Sequence, residues 1–154
     1  MTMYTLRPAT ADAIETLYAL HRETMREYVE QTYCPWDEAF QREAYWDRWN
    51  DIVAAPERTL DVVLVDGEIA GYLDCELEAD GLHLNNIRVA PRWQRQGIGT
   101  ALVVGVIVRA VADGVPVQLQ VLRVNPARTL YERLGFVVVE ETATHYRMQR
   151  GTLQ

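Results

Sequence analysis

The stretch Gln94-Arg95-Gln96-Gly97-Ile98-Gly99-Thr100 has the residue types and spacing of a helix start that binds an anion. Glycine has no Cβ, so a ligand can approach the backbone closely at Gly97 and Gly99. The first N–H groups of a helix have no acceptor within the helix and attract negative charge. The stretch therefore predicts a phosphate site, and a helix start without a ligand is the structural alternative.

Two familiar phosphate motifs fit this stretch poorly. A P-loop needs Lys followed by Ser or Thr after its last glycine, and the chain has no lysine because all 15 basic residues are Arg. A dinucleotide fingerprint needs a third small residue where Leu102 stands. The predicted site is therefore of another kind.

Charge is distributed unevenly along the chain, whose net charge is −7. Residues 1–80 hold 6 Arg against 18 acidic residues (net −12), and residues 81–154 hold 9 Arg against 4 (net +5). The basic half suits phosphates and the acidic half suits a cationic ligand, with an uneven solvated surface as the alternative. So acidic a chain argues against a nucleic-acid partner.

Length and composition predict one globular domain over residues 1–154, large enough to fold without disulfide or metal staples. The cysteines, Cys34 and Cys75, lack metal-ligand spacing and are expected to be buried and reduced, so we expect no metal site and a cytoplasmic setting. No uninterrupted apolar window of roughly 18 residues is present, so no membrane span or targeting segment is expected.

Hydrophobic periodicity and turn residues predict the elements that position the glycine-containing stretch, in the order β-α-α-β-β-β-α-β-α-β-β. They are a strand Met3–Arg7, a helix after Thr10, a helix from Asp37 past Trp49 with Phe40 and Tyr45 on an aromatic side, strands 60–65, 68–77 and Leu82–Val89, a helix from Gly97 to about Asp113, a strand Pro116–Leu122, a helix 129–134, and strands 136–141 and Thr144–Gln149. Consecutive strands pair antiparallel, whereas a β-α-β crossover gives a parallel pair. The predicted fold is α/β (α+β type): a mixed, mostly antiparallel sheet of about seven strands flanked by helices.

Several short motifs occur in a fixed order over residues 82–136. They are Val89-x-Pro91, Gln94-x-x-Gly97-x-Gly99, Asn125, Tyr131 and Gly135-Phe136. Together they resemble the GCN5-related N-acetyltransferase (GNAT) family. The resemblance implies that acetyl-CoA is the donor and an amine the acceptor, with residues 1–80 on the acceptor side and residues 81–154 binding acyl-CoA.

The resemblance also implies which residues bind the cofactor. Backbone groups of Ile87, Arg88 and Val89 would meet the pantetheine arm, as an added strand edge does. The pyrophosphate would lie on Gln94, Arg95, Gln96, Gly97, Ile98, Gly99 and Thr100. Asn125 would bind the pantetheine or acetyl region, or cap a helix, while Arg128 and Arg92 would meet nucleotide phosphates or stay solvated.

Within this resemblance Tyr131 is the expected catalytic residue. A phenol near the CoA sulfur can protonate the departing thiolate as a general acid, with core packing as the alternative role. The backbone N–H of Val89 would stabilise the charge that develops on the acetyl oxygen.

The general base is less well defined, because the strand positions where many family members carry Glu read His83, Leu84, Asn85 and Asn86. His83 is one candidate. The other candidates are the acidic residues Glu76, Glu78, Glu30 and Asp37.

The segment from Tyr28 to Glu43 lies where the family binds its acceptor. Aromatic and acidic side chains there, among them Glu30, Trp36 and Asp37, could hold an alkylammonium group by cation–π contact and ion pairing. Packing of two helices on the sheet is the alternative role for these aromatic residues.

Two functions therefore follow from the sequence. The first is an N-acetyltransferase that acts by direct amine attack in a ternary complex, since no Cys or Ser with a partnered His is evident. The second is a non-catalytic acyl-CoA-binding module that docks a partner protein. Monomer and homodimer are both open, as is transfer of a longer acyl group.

Overall fold

The computed structural model describes residues 2–152, so that Met1, Leu153 and Gln154 of the predicted domain lie outside the described residues. It confirms the predicted element order. The elements are β1 (Thr5–Pro8), α1 (Ile14–Thr32), α2 (Glu38–Ala54), β2 (Arg58–Val65), β3 (Glu68–Glu78), β4 (Gly81–Val89), α3 (Ile98–Asp113), β5 (Val117–Leu122), α4 (Arg128–Arg133), β6 (Val137–Glu141) and β7 (His145–Arg150).

The strands form one seven-stranded sheet in the order β1-β2-β3-β4-β5-β7-β6. Strands β4 and β5 pair parallel, and every other neighbouring pair is antiparallel, as predicted. The last strand, β7, inserts between β5 and β6, an arrangement that the periodicity alone did not indicate.

Local turn chemistry produces two of the predicted boundaries. Asp66 and Gly67 both have positive φ, 51° and 79°, as the two-residue turn of the β2–β3 hairpin requires. Gly114 ends α3 in the left-handed conformation with φ 71°. The β2–β3 hairpin and the end of α3 therefore follow from the types of the residues at these positions.

Each face of the sheet is covered by its own apolar core. One core joins the sheet to α3 and α4 through residues such as Leu102, Val106 and Phe136. The other joins it to α1 and α2 through residues such as Leu17 and Tyr45. The sheet is thus the middle layer between two helical layers.

One burial prediction on the α1–α2 side, that of Cys34, was wrong. Cys34 is exposed because it lies in the connection between the two helices, whereas Cys75 is buried in β3. Phe40, expected on the aromatic side of α2, is 65% exposed because it lies in the first turn of the helix, while Tyr45 is buried. Among the described helices, none is long and apolar enough to cross a membrane.

Candidate active site

The parallel strands β4 and β5 separate over half of their length. They pair only from Leu82 to Leu84, opposite Val117 to Leu119. A register shift between β3 and β4 leaves Asn85 without a partner on β3, and such a bulge bends a strand. Along residues 85–89, β4 therefore presents an open edge towards β5.

The backbone of β4 turns free hydrogen-bonding groups towards this gap. The N–H of Ala90 donates to the carbonyl of Ala70 at 2.7 Å, so Ala90 faces β3. Since successive residues of a strand face opposite neighbours, the N–H groups of Val89 and Ile87 face the gap. The Val89 carbonyl accepts from the Gln94 side chain at 2.9 Å. The Ile87 carbonyl likewise accepts from the Arg88 side chain at 2.7 Å. The N–H groups of the edge are thus the groups left to pair with an extended ligand, with Val89 N–H at its end.

Gly71 on β3 sets the position of this edge and was missed as a functional residue. A Cβ at Gly71 would lie 2.1 Å from the Arg88 carbonyl oxygen, far inside contact distance. Glycine alone allows β3 and β4 to approach this closely. A glycine inside a strand pattern is the signal that could have found it.

The predicted phosphate site lies at the start of α3. Gly97 is in the left-handed conformation with φ 85°, and it precedes the free amides of Ile98, Gly99 and Thr100. A Cβ at Gly99 would meet only Val89 Cγ2, at 4.0 Å, so the protein itself does not require glycine there. The open space at Gly99 is compatible with the predicted ligand site.

Side chains of the preceding loop mainly hold the loop's own shape. Gln94 bonds to Val89 as above, and Gln96 donates to the Arg92 carbonyl at 3.1 Å. Arg95 is exposed with φ 63°. The backbone of α3 is therefore the better-formed part of the predicted pyrophosphate site, and contacts from these side chains remain a prediction.

A cleft of about 480 Å³ extends along the gap and has Tyr131 in its wall. The Tyr131 ring packs edge-on against Phe136, with centroids 5.7 Å apart. Burial raises the pKa of Tyr131, with a smaller opposing effect of Arg88, so the phenol keeps its proton at neutral pH. Core packing and a proton-donating role are thus compatible.

Asn125 also lines the cleft, and its side-chain oxygen accepts from the Ala127 N–H at 2.9 Å. The predicted capping role was wrong, because Ala127 is the N-cap residue of α4 and Asn125 forms a turn just before the helix. The Asn125 amide N–H₂ remains for a ligand. The two arginines predicted near nucleotide phosphates are in surface ion pairs: Arg128 with Glu132, and Arg92 with Glu68 at 3.3 Å. Their contact with a ligand stays a prediction.

Of the five predicted general bases, His83 is the one that lines the cleft. Its Nε2 lies 2.7 Å from an Asp80 oxygen and 2.9 Å from a Glu78 oxygen. Ligand-type atoms of these three residues lie within 4.8 Å of one another, which hydrogen bonding of the imidazole to two carboxylates explains. With Nε2 facing the carboxylates, Nδ1 is the nitrogen left to accept a proton.

The three predicted acceptor residues have structural partners and lie outside the cleft lining. The Glu30 carboxylate accepts from the Trp36 backbone N–H at 2.9 Å. The Trp36 indole donates to Glu38 at 3.0 Å, and Asp37 caps α2 by accepting from the Phe40 N–H at 3.0 Å. Their contact with an acceptor stays a prediction.

Side chains that the sequence analysis did not single out form the opposite wall. His21, Arg48 and His145 line the cleft, as His83 does, so all three histidines of the chain border the same cleft. Among the lining residues that the structure describes there is no Asp or Glu. Burial, with Arg88 and Arg48 beside it, lowers the pKa of His21 from 6.5 to about 3. Nothing in the spacing of these residues could have shown that they meet.

Comparison with known proteins gives one family and one fold. The model of the Acetyltransferase (GNAT) family matches residues 16–136. The [ribosomal protein bS18]-alanine N-acetyltransferase of Haemophilus influenzae is 33% identical over 97 residues, which is 62% of this chain and 66% of that protein.

Solved structures of similar fold cover nearly the whole chain. PaiA N-acetyltransferase of Thermoplasma acidophilum, solved in complex with coenzyme A, superposes with a TM-score of 0.78 at 18% identity, over 97% of this chain and 99% of that one. The ribosomal-protein-S18-alanine N-acetyltransferase of Escherichia coli gives 0.68 at 23% identity, over 99% and 96%. At these identities the likeness shows the fold.

Proposed function

This chain belongs to the GNAT acetyltransferase family, and from that premise we propose that it transfers the acetyl group of acetyl-CoA to a primary amine by direct attack. The observation that carries the proposal is the meeting of an open β4 edge and a protonated Tyr131 in one cleft. The coenzyme A bound to a protein of the same fold supports the donor. The alanine acceptor named for the Haemophilus relative supports an amine.

The cofactor would bind mainly to backbone groups. The pantetheine arm would pair with the edge formed by Ile87 and Val89, and the pyrophosphate would accept from the first amides of α3. The Asn125 amide would donate to the pantetheine or acetyl region. This arrangement would bring the thioester carbonyl to the Val89 N–H.

The transfer then needs one new bond and two proton movements. The amine nitrogen attacks the thioester carbonyl, and the Val89 N–H stabilises the oxyanion. The C–S bond breaks, the Tyr131 hydroxyl donates its proton to the leaving thiolate, and the amine loses its proton to water in the cleft. His83 lies six residues before Val89 on β4, roughly 20 Å away, and is too far to take that proton directly. The products are an acetamide and CoA, and Tyr131 regains a proton from solvent.

A second candidate function is a non-catalytic acyl-CoA-binding module. The observation in its favour is that the described cleft lining holds no carboxylate that could serve as the base. Such a module would bind acetyl-CoA through the same backbone groups but release no thiol.

Calorimetric titration with acetyl-CoA tests the common basis of both candidates. A Gly99→Glu variant places a carboxylate in the open space at the start of α3, and we expect it to lose binding through charge repulsion. Gly105→Glu is the matched control, because Gly105 lies on the same helix with nothing within 4 Å of its Cβ. Saturable binding by the wild type and by Gly105→Glu supports the proposal. Release of CoA thiol when amines are added then shows that the protein is an enzyme rather than a binding module. No binding by the wild type overturns it.

A further inference from the structure

Three basic side chains from separate elements converge on the wall of the cleft opposite the cofactor edge. They are His21 of α1, Arg48 of α2 and Arg88 of β4. Their proximity shows in the pKa of His21, which burial lowers most and which Arg88 and Arg48 lower further. We call these three residues the basic cluster.

The charges of Arg48 and Arg88 are not neutralised by the protein. Within residues 2–152 neither forms an ion pair, although seven other arginines do: Arg22, Arg26, Arg42, Arg58, Arg92, Arg128 and Arg147. A cation taken out of water is costly unless it is paired or hydrogen-bonded. Half-buried Arg150, which also has no ion pair among the described residues, donates to the Leu134 carbonyl away from the cleft, whereas Arg48 and Arg88 line the cleft. An anionic group of a ligand would therefore neutralise these two cations, since no carboxylate of the described chain does so.

The Arg88 guanidinium is held in place by neutral groups. Its two terminal nitrogens donate to the Ile87 carbonyl at 2.7 Å and the Asn86 side-chain oxygen at 2.9 Å. Asn86 in turn donates to Asp74 at 3.2 Å, and Arg58 pairs with Asp74 at 3.1 Å. The guanidinium is thus oriented without being neutralised.

Two buried polar atoms of the basic cluster have no hydrogen-bond partner. They are Arg88 Nε and His21 Nδ1. A buried polar atom without a partner is costly. Both atoms are closed to solvent, so they mark a poorly satisfied region beside the cleft rather than a contact surface. A ligand that meets the two unpaired guanidinium groups of this region would be an acceptor of hydrogen bonds.

We propose that the amine acceptor of this enzyme also carries an anionic group, a carboxylate or a phosphate-type group, which Arg88 and Arg48 bind while the amine faces the β4 edge. This inference rests on the proposed acetyl transfer and adds its substrate class. Arginine binds such groups through paired N–H donors. A cleft without carboxylates disfavours polyamines and other purely cationic acceptors.

Matched pairs of amines test the proposal. Each amino acid of a panel is compared with its carboxamide, and 2-aminoethylphosphonate with ethanolamine, by thiol release from acetyl-CoA. Values of kcat/KM are expressed per neutral amine, so that differences in amine pKa do not enter. We expect the anionic member of the best pair to be preferred by at least about tenfold, since charge-assisted hydrogen bonds are the stronger ones. If the larger preference is found in an amino acid pair, the anionic group of the acceptor is a carboxylate. If it is found in the 2-aminoethylphosphonate pair, the group is of the phosphate type.

Variants connect the preference to the basic cluster. Arg48→Met and Arg88→Met should each lower the ratio of anionic to neutral acceptor by about tenfold or more. Arg48→Met is the safer variant for folding, because Arg48 lies on α2 and is only half-buried. Arg7→Met on β1, exposed and outside the cleft, is the control and should leave the ratio unchanged.

The outcomes distinguish failure of the anionic-acceptor proposal from failure of the proposed acetyl transfer. Equal rates within the pairs, preference for the neutral members, or a ratio unmoved by both variants would overturn the anionic acceptor while acetyl transfer stands. If the protein binds acetyl-CoA but acetylates no anionic amine, the binding of N-acetylglycine and of its amide to the CoA-loaded protein is compared. Tighter binding of N-acetylglycine would support the anionic acceptor, and equal or weaker binding would overturn it. No binding of acetyl-CoA would reject the proposed function itself.

Discussion

The two walls of the cleft are built by different means. The cofactor wall holds Tyr131 and the β4 edge at Ile87. This edge continues through residues 88–100 to the start of α3, although of these only Arg88 lines the cleft, and the backbone amides form an open strand edge and a helix start. On the acceptor wall, His21, Arg48 and Arg88 come from three elements and present side chains. A wall made of backbone depends on glycines and strand pairing, whereas a wall made of side chains can change its specificity by substitution at single positions.

The walls also differ in how completely their polar groups are satisfied. On the cofactor wall, Gln94 and Gln96 close the loop with their own hydrogen bonds. On the acceptor wall, buried nitrogens of His21 and Arg88 are left without partners. Unpaired nitrogens that are buried are costlier than the N–H groups that the cofactor wall leaves open at its edge and at the start of α3, so ligands should change the stability of the second wall more.

The largest expected effect of a single substitution on the cofactor wall is that of Tyr131→Phe. Removal of the hydroxyl leaves the ring against Phe136 but removes the proton donor, so kcat should fall by about 10²- to 10⁴-fold. The affinity for acetyl-CoA should stay near that of the wild type. Thiol release and calorimetry measure the two quantities. Undiminished turnover would show that Tyr131 only packs, and would move the chemistry away from this wall.

The second-largest expected effect is a loss of stability when the ion pair that holds the acceptor wall in place is broken. Asp74 is 1% exposed, pairs with Arg58 at 3.1 Å and accepts from Asn86, which holds Arg88. Asp74→Ala leaves the partly buried Arg58 without its partner and should cost about 3 kcal/mol of unfolding free energy, the lower end of the loss for a buried pair. Denaturant titration measures that loss, and KM for the acceptor should rise because Arg88 loses its orientation.

Asp61→Ala is the matched control for this variant. Asp61 lies on the neighbouring strand β2 and has no ion pair among the described residues, and burial raises the pKa of its carboxyl. Its removal should cost little. Equal destabilisation by the two variants would mean that the Arg58–Asp74 pair does not hold the acceptor wall.

The contrast between the walls also explains what the sequence predicted. Gly97 and the Asp66–Gly67 turn act through local backbone geometry, so their type and spacing suffice. The basic cluster depends on how α1 and α2 pack on β4, which no short spacing encodes. The sequence predicts a role only for the backbone of Arg88. Its side chain reaches the acceptor wall because Asn85 has no partner on β3, which reverses the faces to which the later side chains of β4 point. The insertion of β7 between β5 and β6 likewise depends on long-range pairing.

The smallest of these effects is acid sensitivity confined to the acceptor wall. Burial first, and then Arg88 and Arg48, lower the pKa of His21 from 6.5 to about 3, so the unfolded chain binds a proton that the folded chain does not. Stability from neutral His21 is complete above pH 6.5 and is lost as pH falls towards 3. At pH 5 the loss should be about 2 kcal/mol. Unfolding titrations at pH 7 and 5 measure it, and His21→Gln should remove this part of the pH dependence.

Hydrogen exchange locates that loss on one wall or the other. Amides of α1 should lose protection between pH 7 and 5 more than amides of α3, because His21 lies on α1. An anionic acceptor bound beside Arg48 and Arg88 would offset their repulsion of the imidazolium, raise the pKa of His21 and make α1 less acid-sensitive. Equal loss in both helices, unchanged by such a ligand, would mean that the two walls respond to pH as one cooperative unit and that the basic cluster adds no separate electrostatic strain.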